Sequence, residues 1–233
     1  MKRKISTELF YVLGIVFIAF GVVLMEKADF GVSMVVAPAY LLYRWISPVW
    51  SFFSFGMAEY CLQAVLLVVM VLVIRRFRLS YLFSFVTAFL YGLILDAFMG
   101  LGVLLPSDAV WQRAVYYVIG MLFCSAGVSA MFHTYISPEV YELFVKEVSA
   151  HFHININHFK TAYDCTSCLI GVILSFLAFG FGHFEGVKAG TVLCALINGW
   201  IIGCFSRFYE KHWVFEDRLP WRRLFTEDPE PIR

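Results

Sequence analysis

Charged residues are scarce in this chain, and their scarcity excludes an ordinary soluble domain. Only 15% of the 233 residues are charged, whereas soluble domains carry about 25%. Hydrophobic residues make up 61% and fall in long runs, which is typical of transmembrane helices. The net charge is +1 and no basic stripe carries interleaved aromatic residues, so nucleic acid is not an expected partner. We therefore predict an integral membrane protein, with the lipid bilayer as its main partner.

The chain also lacks the motifs that mark common enzymes and metal sites. It contains no HExxH, GxSxG or phosphate-loop sequence. His151, His153 and His158 precede Cys165 and Cys168, and imidazole and thiolate are good zinc ligands. However, both cysteines fall inside a predicted helix, and no second CxxC pair exists. We predict no catalytic residue, no metal and no cofactor.

Six apolar runs are each long enough to cross a bilayer as a helix, which requires about 20 residues. They cover about residues 9–25, 55–74, 81–104, 110–132, 161–181 and 187–205. Pro106 closes the third run. We predict one all-α transmembrane domain over residues 1–208, followed by a polar tail over residues 209–233.

Two further apolar segments, about residues 34–45 and 138–149, are too short to span a bilayer. We predict that each forms a re-entrant or interfacial helix. Ser33 and Ser137 stand where a side chain would cap the helix N-terminus. Glu142 and Lys146 are four residues apart, and we expect them to form a solvated ion pair.

The distribution of Lys and Arg predicts the orientation of the spans. With six spans, only Lys27, Arg44, Arg113 and Lys188 of the 18 Lys and Arg residues fall on one face. The remainder fall on the face that carries both ends of the chain. Because Lys and Arg accumulate on the cytoplasmic side, both termini are predicted to be cytoplasmic.

The two halves of the chain, about residues 9–104 and 110–207, share a pattern of small residues. The matching positions are Gly14 and Gly21 with Gly120 and Gly127, Ala58 and Cys61 with Ala162 and Cys165, and Ala88, Gly92 and Phe98 with Ala195, Gly199 and Phe205. Three spans in each half give the second copy the opposite orientation, so we predict two inverted three-helix repeats, as in many secondary transporters. The alternative is that small residues recur wherever membrane helices pack closely.

Three short segments carry a resemblance to a known family. Residues 27–33 read KADFGVS, residues 160–164 read KTAYD, and residues 185–191 read EGVKAGT. In this order they resemble the KADLGxSP, KxxxD and GVREGT segments of the YczE/YitT-like bacterial membrane proteins. Met34 replaces the expected proline, and Lys188-Ala189-Gly190 replaces Arg-Glu-Gly, which removes an acidic residue. The resemblance implies a multi-pass protein of the bacterial cytoplasmic (inner) membrane, in a largely uncharacterised family suspected of transport, and it implies no substrate.

Ionisable residues inside apolar spans are costly and mark candidate functional positions. Asp96, in the third span, is either an ion or substrate site or a hydrogen-bonded structural residue near the interface. Lys160 and Asp164 share one face of the fifth span. They either bind a zwitterion or an anion, or form an interfacial ion pair. Glu139 lies in the first turn of the second short helix, where it stabilises the helix end or adjoins a ligand.

Several further polar residues complete the predicted site. Asp29, which shares a face with Glu26, either gates the site from outside or caps the membrane boundary. Gln63 and Asn198 either contact the substrate or hold helices together. The full set of predicted substrate-binding residues is Asp96, Lys160, Asp164, Glu139, Asn198, Tyr91, Gln63, Asp29, Ser33 and Ser137.

These residues favour a small-solute transporter that works by alternating access, with the site between the two halves. An acidic residue would couple a proton or a sodium ion. Two other hypotheses are the substrate-binding membrane component of an ATP-driven importer and a non-transporting accessory protein. The sequence leaves the substrate, the coupling ion and a homo-oligomeric state open.

Overall fold

The computed structural model describes residues 3–102, 109–154, 156–180 and 187–219. In these ranges the chain forms eight α-helices and two short β-strands. Their bounds are β1 Arg3–Ser6, α1 Thr7–Ala28, α2 Ala37–Ile46, α3 Phe55–Ile74, α4 Ser80–Gly102, α5 Val110–Phe132, α6 Val140–His151, α7 Ile156–Phe179, α8 Ala189–His212 and β2 Trp213–Glu216.

Six of these helices, α1, α3, α4, α5, α7 and α8, are long and apolar enough to cross a membrane. The six predicted spans are therefore confirmed, and the chain is a multi-pass, essentially all-α membrane protein that sits in a lipid bilayer. Large apolar side chains such as Leu72, Leu177 and Trp200 point outward, as expected for a lipid-facing surface. The predicted ends of the third and fifth spans, Pro106, and residues 220–233 of the predicted tail lie outside the described residues.

The N-caps predicted for the two short helices are wrong. Helix α2 begins after Val36 and α6 begins after Glu139, and neither of these cap residues makes a side-chain capping bond. Ser137 Oγ instead donates to the carbonyl oxygen of Ser80, at 3.2 Å. Ser33 Oγ lies 3.6 Å from the sulfur of Met34. Both serines lie before the helices, in segments that contact neighbouring spans.

Helices α1 and α5 pack closely against each other through glycines. A Cβ atom on Gly21 would lie 2.6 Å from the carbonyl oxygen of Gly120, and one on Gly127 would lie 2.7 Å from that of Gly14. Only glycine allows two helix backbones to approach this closely. The two helices cross in antiparallel fashion, because Gly14 meets Gly127 and Gly21 meets Gly120.

The two short helices begin beside the middle of long helices. The amide of Val140, the first residue of α6, donates to Oε1 of Gln63 at 3.1 Å, near the middle of the 20-residue α3. Before α2, the carbonyl oxygen of Met34 accepts from Ser167 Oγ at 2.8 Å, near the middle of the 24-residue α7. The C-terminal end of α6 lies near the chain reversal between α3 and α4, because Tyr81 donates to Glu147 at 2.8 Å.

The two chain ends meet in a short parallel sheet that the sequence did not predict. Strand β1 pairs with β2 in the register Arg3 to Trp213 and Ser6 to Glu216. Thr7 Oγ1 donates to Asp217 at 2.9 Å, and Phe10 packs edge-on against the ring of Tyr209. Residues 213–219, which we expected in a polar tail, are therefore attached to the start of α1.

We predict that Gly21→Ala destabilises the protein, whereas Gly100→Ala does not. The added Cβ at Gly21 would overlap Gly120, and overpacking of this kind costs about 1–3 kcal/mol. Gly100 has nothing within 4 Å of the same position, so alanine there should stabilise the helix by about 0.5–1 kcal/mol. Thermal unfolding in detergent measures both. Equal midpoints for the two variants would contradict the close approach.

Candidate functional site

A layer of buried acidic side chains crosses the middle of the bundle. Among the described residues, those buried with a charged side chain are Glu59, Glu139, Glu142 and Asp164. They come from α3, the start of α6, and α7. Buried charge within a membrane protein is costly and marks a functional position by default.

Lys160 is the basic residue of this layer, and it binds two of the carboxylates. Its Nζ lies 2.8 Å from Glu142 and 3.3 Å from Asp164, and the three side chains are 12%, 8% and 2% exposed. The pairing of Lys160 with Asp164 follows the predicted spacing. The expectation for Glu142 is wrong: it is buried against α7 rather than solvated beside Lys146, because the first turn of α6 faces the bundle interior.

A second buried group joins α3 to the start of α6. Glu59 is fully buried and accepts a hydrogen bond from the hydroxyl of Tyr141 at 2.8 Å. One turn further along α3, Gln63 accepts from the Val140 amide. Glu59 was not among the predicted site residues. The rule that selected Asp96, a carboxylate inside an apolar run, applies equally to Glu59 and would have found it.

Glu139 occupies the N-cap of α6, not the first turn. Its side chain is buried, and Oε1 makes no hydrogen bond with the protein. Burial raises the pKa of this carboxyl, the nearby charges of Glu59 and Glu142 raise it further, and Lys160 lowers it. A carboxyl in this setting takes up a proton more readily than one in water.

A small central cavity adjoins these groups. It has a volume of about 40 Å³, and its wall includes Ser33, Glu139, Glu142, Lys160 and Asn198. The segments before both short helices therefore meet at this cavity. The Asn198 side chain is held by Ser125, whose hydroxyl donates to Oδ1 at 2.7 Å. Five of the predicted site residues or their direct partners thus converge in one place.

A larger vestibule of about 530 Å³ lies next to the central cavity. The two spaces share Met131, Pro138 and Lys160 as wall residues. Tyr135, also in the vestibule wall, donates to Glu8 at 2.9 Å. The vestibule therefore lies at the end of the bundle that carries both chain ends.

At the opposite end of the bundle, contacts with Asp29 join three helices. Its carboxylate accepts from Arg113 at 3.0 Å and also binds the ammonium of Lys188. Arg113 further donates to the carbonyl oxygen of Ala28, at 2.8 Å. These contacts, called here the Asp29 lock, join the end of α1 to the starts of α5 and α8. Asp29 therefore lies away from the central cavity.

Asp96 also lies away from the central cavity. Its carboxylate accepts from Ser54 Oγ at 2.6 Å and from the Gly56 amide at 2.7 Å. It caps the start of α3 from the neighbouring α4, beside an apolar groove of about 110 Å³. This matches the structural alternative considered for Asp96.

Tyr91 and Ser137 differ in their position relative to the central layer. Tyr91 is fully buried, and its hydroxyl makes no hydrogen bond with the protein. Its electrostatic neighbours are first Glu59 and Glu139, then Cys124 and Asp96. Ser137 lines the vestibule, and its carbonyl oxygen lies 3.1 Å from the hydroxyl of Thr87. Tyr91 thus belongs to the central group, whereas Ser137 adjoins it.

One known family matches most of the chain. The model of a family of unknown function, DUF6198, matches residues 5–207. The chain belongs to the DUF6198 family. No curated protein and no solved structure gave a significant match. The DUF6198 match includes every residue of the central layer, and it leaves the YczE/YitT-like name as a resemblance.

For this DUF6198 protein, we predict that Lys160→Met strongly destabilises the fold. The change leaves Glu142 and Asp164 buried without their cation, which costs about 3–5 kcal/mol. Neutralising both carboxylates as well, in the triple variant with Glu142→Gln and Asp164→Asn, should restore most of the loss. Unfolding midpoints in detergent report both effects. An unchanged midpoint for Lys160→Met alone would mean that the three groups are solvated.

We also predict that Glu139→Gln reduces the dependence of stability on pH. The unfolded chain titrates near the usual value of 4.5, whereas the folded protein has a raised pKa at Glu139 and binds the proton more tightly. The stabilisation is therefore greatest at low pH and falls as pH rises above 4.5, by up to about 1.4 kcal/mol per pH unit. Thermal unfolding across pH tests this; an identical slope in the variant would assign the effect elsewhere.

Proposed function

We propose that this protein is a small-solute membrane transporter that works by alternating access, with the central cavity as its site. The proposal is carried by one observation: a charged, buried cavity adjoins a vestibule at one end of the bundle, while the Asp29 lock joins helices at the other end. A site of this kind can be exposed to one side at a time. A proton or another ion would supply the coupling.

The contacts between α1 and α5 support an arrangement of two inverted repeats. In the proposed repeat, Gly14 corresponds to Gly120 and Gly21 corresponds to Gly127. Exchanging the halves turns the contact of Gly14 with Gly127 into that of Gly120 with Gly21, and both contacts are present. A two-fold relation between the halves, with its axis in the membrane plane, accounts for this pairing.

Exchanging the two halves also relates the contacts of the two short helices. Helix α2 packs on α7, and α6 packs on α3; the proposed repeat relates these two pairs. A threonine hydroxyl holds the segment before each helix: Thr191 donates to the carbonyl of Val32 at 2.8 Å, and Thr87 lies 3.1 Å from that of Ser137. Two re-entrant helices that enter from opposite faces are the simplest account of this correspondence.

The orientation of the proposed transporter follows from Lys and Arg. The excess of these residues at the end that carries the chain termini favours a cytoplasmic location for that end. The vestibule would then open toward the cytoplasm, and the Asp29 lock would close the outer side. We place the protein in the bacterial cytoplasmic membrane on the strength of the family resemblance.

The buried carboxylates weigh against a purely structural accessory protein. Glu59 and Glu139 each keep one carboxylate oxygen without a hydrogen bond from the protein. An unpaired buried carboxylate lowers the stability of the fold. A protein with only a structural role would be more stable with glutamine or leucine at these two positions. Binding of a ligand or a proton at the site during part of a transport cycle would explain why these carboxylates are present.

Cysteine accessibility tests alternating access without a known substrate. In a variant whose native cysteines are replaced, Gly199→Cys reports on the vestibule, where nothing lies within 4 Å of the added atom. Val32→Cys reports on the segment behind the Asp29 lock, where the side chain is 2% exposed. With the lock weakened by Asp29→Asn, Gly199→Cys should react severalfold more slowly with a water-soluble thiol reagent, and Val32→Cys severalfold faster.

Asp96→Asn is the matched control, because it removes a carboxylate at the same end of the bundle outside the lock. It should leave both labelling rates unchanged. Faster reaction of both reporters in Asp29→Asn would indicate local unfolding, and no change in either would reject alternating access through this lock.

A further inference from the structure

The charges around the central cavity do not balance. Four acidic side chains are buried in the layer that the cavity adjoins: Glu139 and Glu142 line the cavity wall, and Glu59 and Asp164 lie behind it. Lys160 is the basic group that contacts this layer. Lys160 is already bound to Glu142 and Asp164. Glu59 and Glu139 are thus left with no cationic partner among the described contacts of the layer.

These two carboxylates lie close together although they come from different helices. Tyr141, two residues after Glu139, donates to Glu59 at 2.8 Å. Val140, the residue next to Glu139, donates to Gln63 at 3.1 Å, one turn along α3 from Glu59. The charge of Glu59 also acts on Glu139. Two like charges held together in an apolar interior require a proton or a cation between them.

The oxygen atoms that remain unbound suit a small hard cation. Glu59 Oε1, Glu139 Oε1 and the hydroxyl of Tyr91 are buried and have no hydrogen-bond partner in the protein. Glu142 Oε2 and Asp164 Oδ1 also lack a hydrogen bond, but these two carboxylates are paired with Lys160. Carboxylate and hydroxyl oxygens suit hard cations rather than soft transition metals. In the described part of the chain, no group of three or more His, Cys, Asp and Glu side chains is placed to hold a metal ion, so a divalent transition metal is not favoured.

The geometry disfavours an anion at the same place. A helix N-terminus attracts anions through its free amides, but the first amide of α6, that of Val140, is occupied by Gln63. The excess of carboxylates repels a further negative charge. The cavity volume of about 40 Å³ accommodates only a few water-sized groups, which limits the occupant to a small ion.

We infer that the central cavity binds a small monovalent cation, held by the carboxylates of Glu139 and Glu59 and exchanged there against protons. The ion is of the size of Na⁺, K⁺ or ammonium. The titratable groups that face Glu139 are Tyr11 from α1, Glu59 from α3, Tyr91 from α4, Cys124 from α5, Lys160 from α7 and Glu142 from its own helix. Lys160 is held in its ion pairs, so protonation of the two free carboxylates is the change that releases the cation.

Binding alone is tested first, on the full chain purified in detergent. Thermal unfolding is followed with NaCl, KCl or ammonium chloride replacing the chloride of N-methylglucamine at constant ionic strength. A small cation should raise the midpoint in a saturable way, whereas N-methylglucamine, too large for the cavity, should not. Each tenfold rise in proton concentration should raise the half-saturating cation concentration by up to about tenfold.

The variants locate the effect. Glu139→Gln and Glu59→Gln should each abolish the saturable rise, and both should fold, because they remove a buried charge without removing volume. Asp96→Asn is the matched control and should retain the response. Equal responses in the wild type and Glu139→Gln, or equal responses to all cations including N-methylglucamine, would overturn the inference.

A second measurement separates this inference from the proposed transport function on which its exchange step rests. Proteoliposomes with an internal pH dye receive an outward proton gradient and an external pulse of the stabilising cation. Cation-dependent proton movement that is lost in Glu139→Gln supports both proposals. Saturable binding without proton movement would support the cation site and reject coupled transport through it. If the Gly199→Cys and Val32→Cys labelling rates change as expected but no cation binds, alternating access is supported and the cation site is rejected.

Discussion

The peptide groups that precede the two short helices impose the central constraint on this structure. Inside a bilayer every backbone amide and carbonyl needs a partner from the protein, and residues just before α2 and α6 have none within a helix. Thr191, Ser167 and Gln63 supply these partners from α8, α7 and α3. The segment before each short helix is therefore tied to long helices, at Ser167 near the middle of α7 and at Gln63 near the middle of α3. These ties bring polar side chains to one cavity.

The same arrangement explains why the acidic layer forms at that depth. A helix that starts in the middle of the bundle places its N-cap and first turn among the spans, so Glu139 and Glu142 are buried although α6 is amphipathic and short. One carboxylate reaches Lys160 and the other does not. The unequal pairing leaves an excess of negative charge beside a vestibule, and both the proposed transport and the proposed cation site follow from that excess.

Much of the architecture could be predicted because it depends on local pattern. Apolar length determined the six spans, and the spacing of Lys160 and Asp164 placed them on one helix face, where they share an ion pair. The roles of Asp96 and Glu142 could not be predicted in this way. Asp96 is bound by Ser54, 42 residues distant in sequence, and Glu142 by Lys160 from another helix; such partners depend on how the helices pack.

The sequence by itself therefore determined that this protein crosses a membrane, how many times, and which ionisable residues fall inside apolar segments, since each of these depends only on hydrophobic length and on the cost of burying charge. Only the tertiary structure decided which of those residues meet. The glycine contacts between α1 and α5 set the distance between the halves, and the anchored short helices then bring Glu59, Glu139 and Lys160 together while leaving Asp96 and Asp29 near the far end.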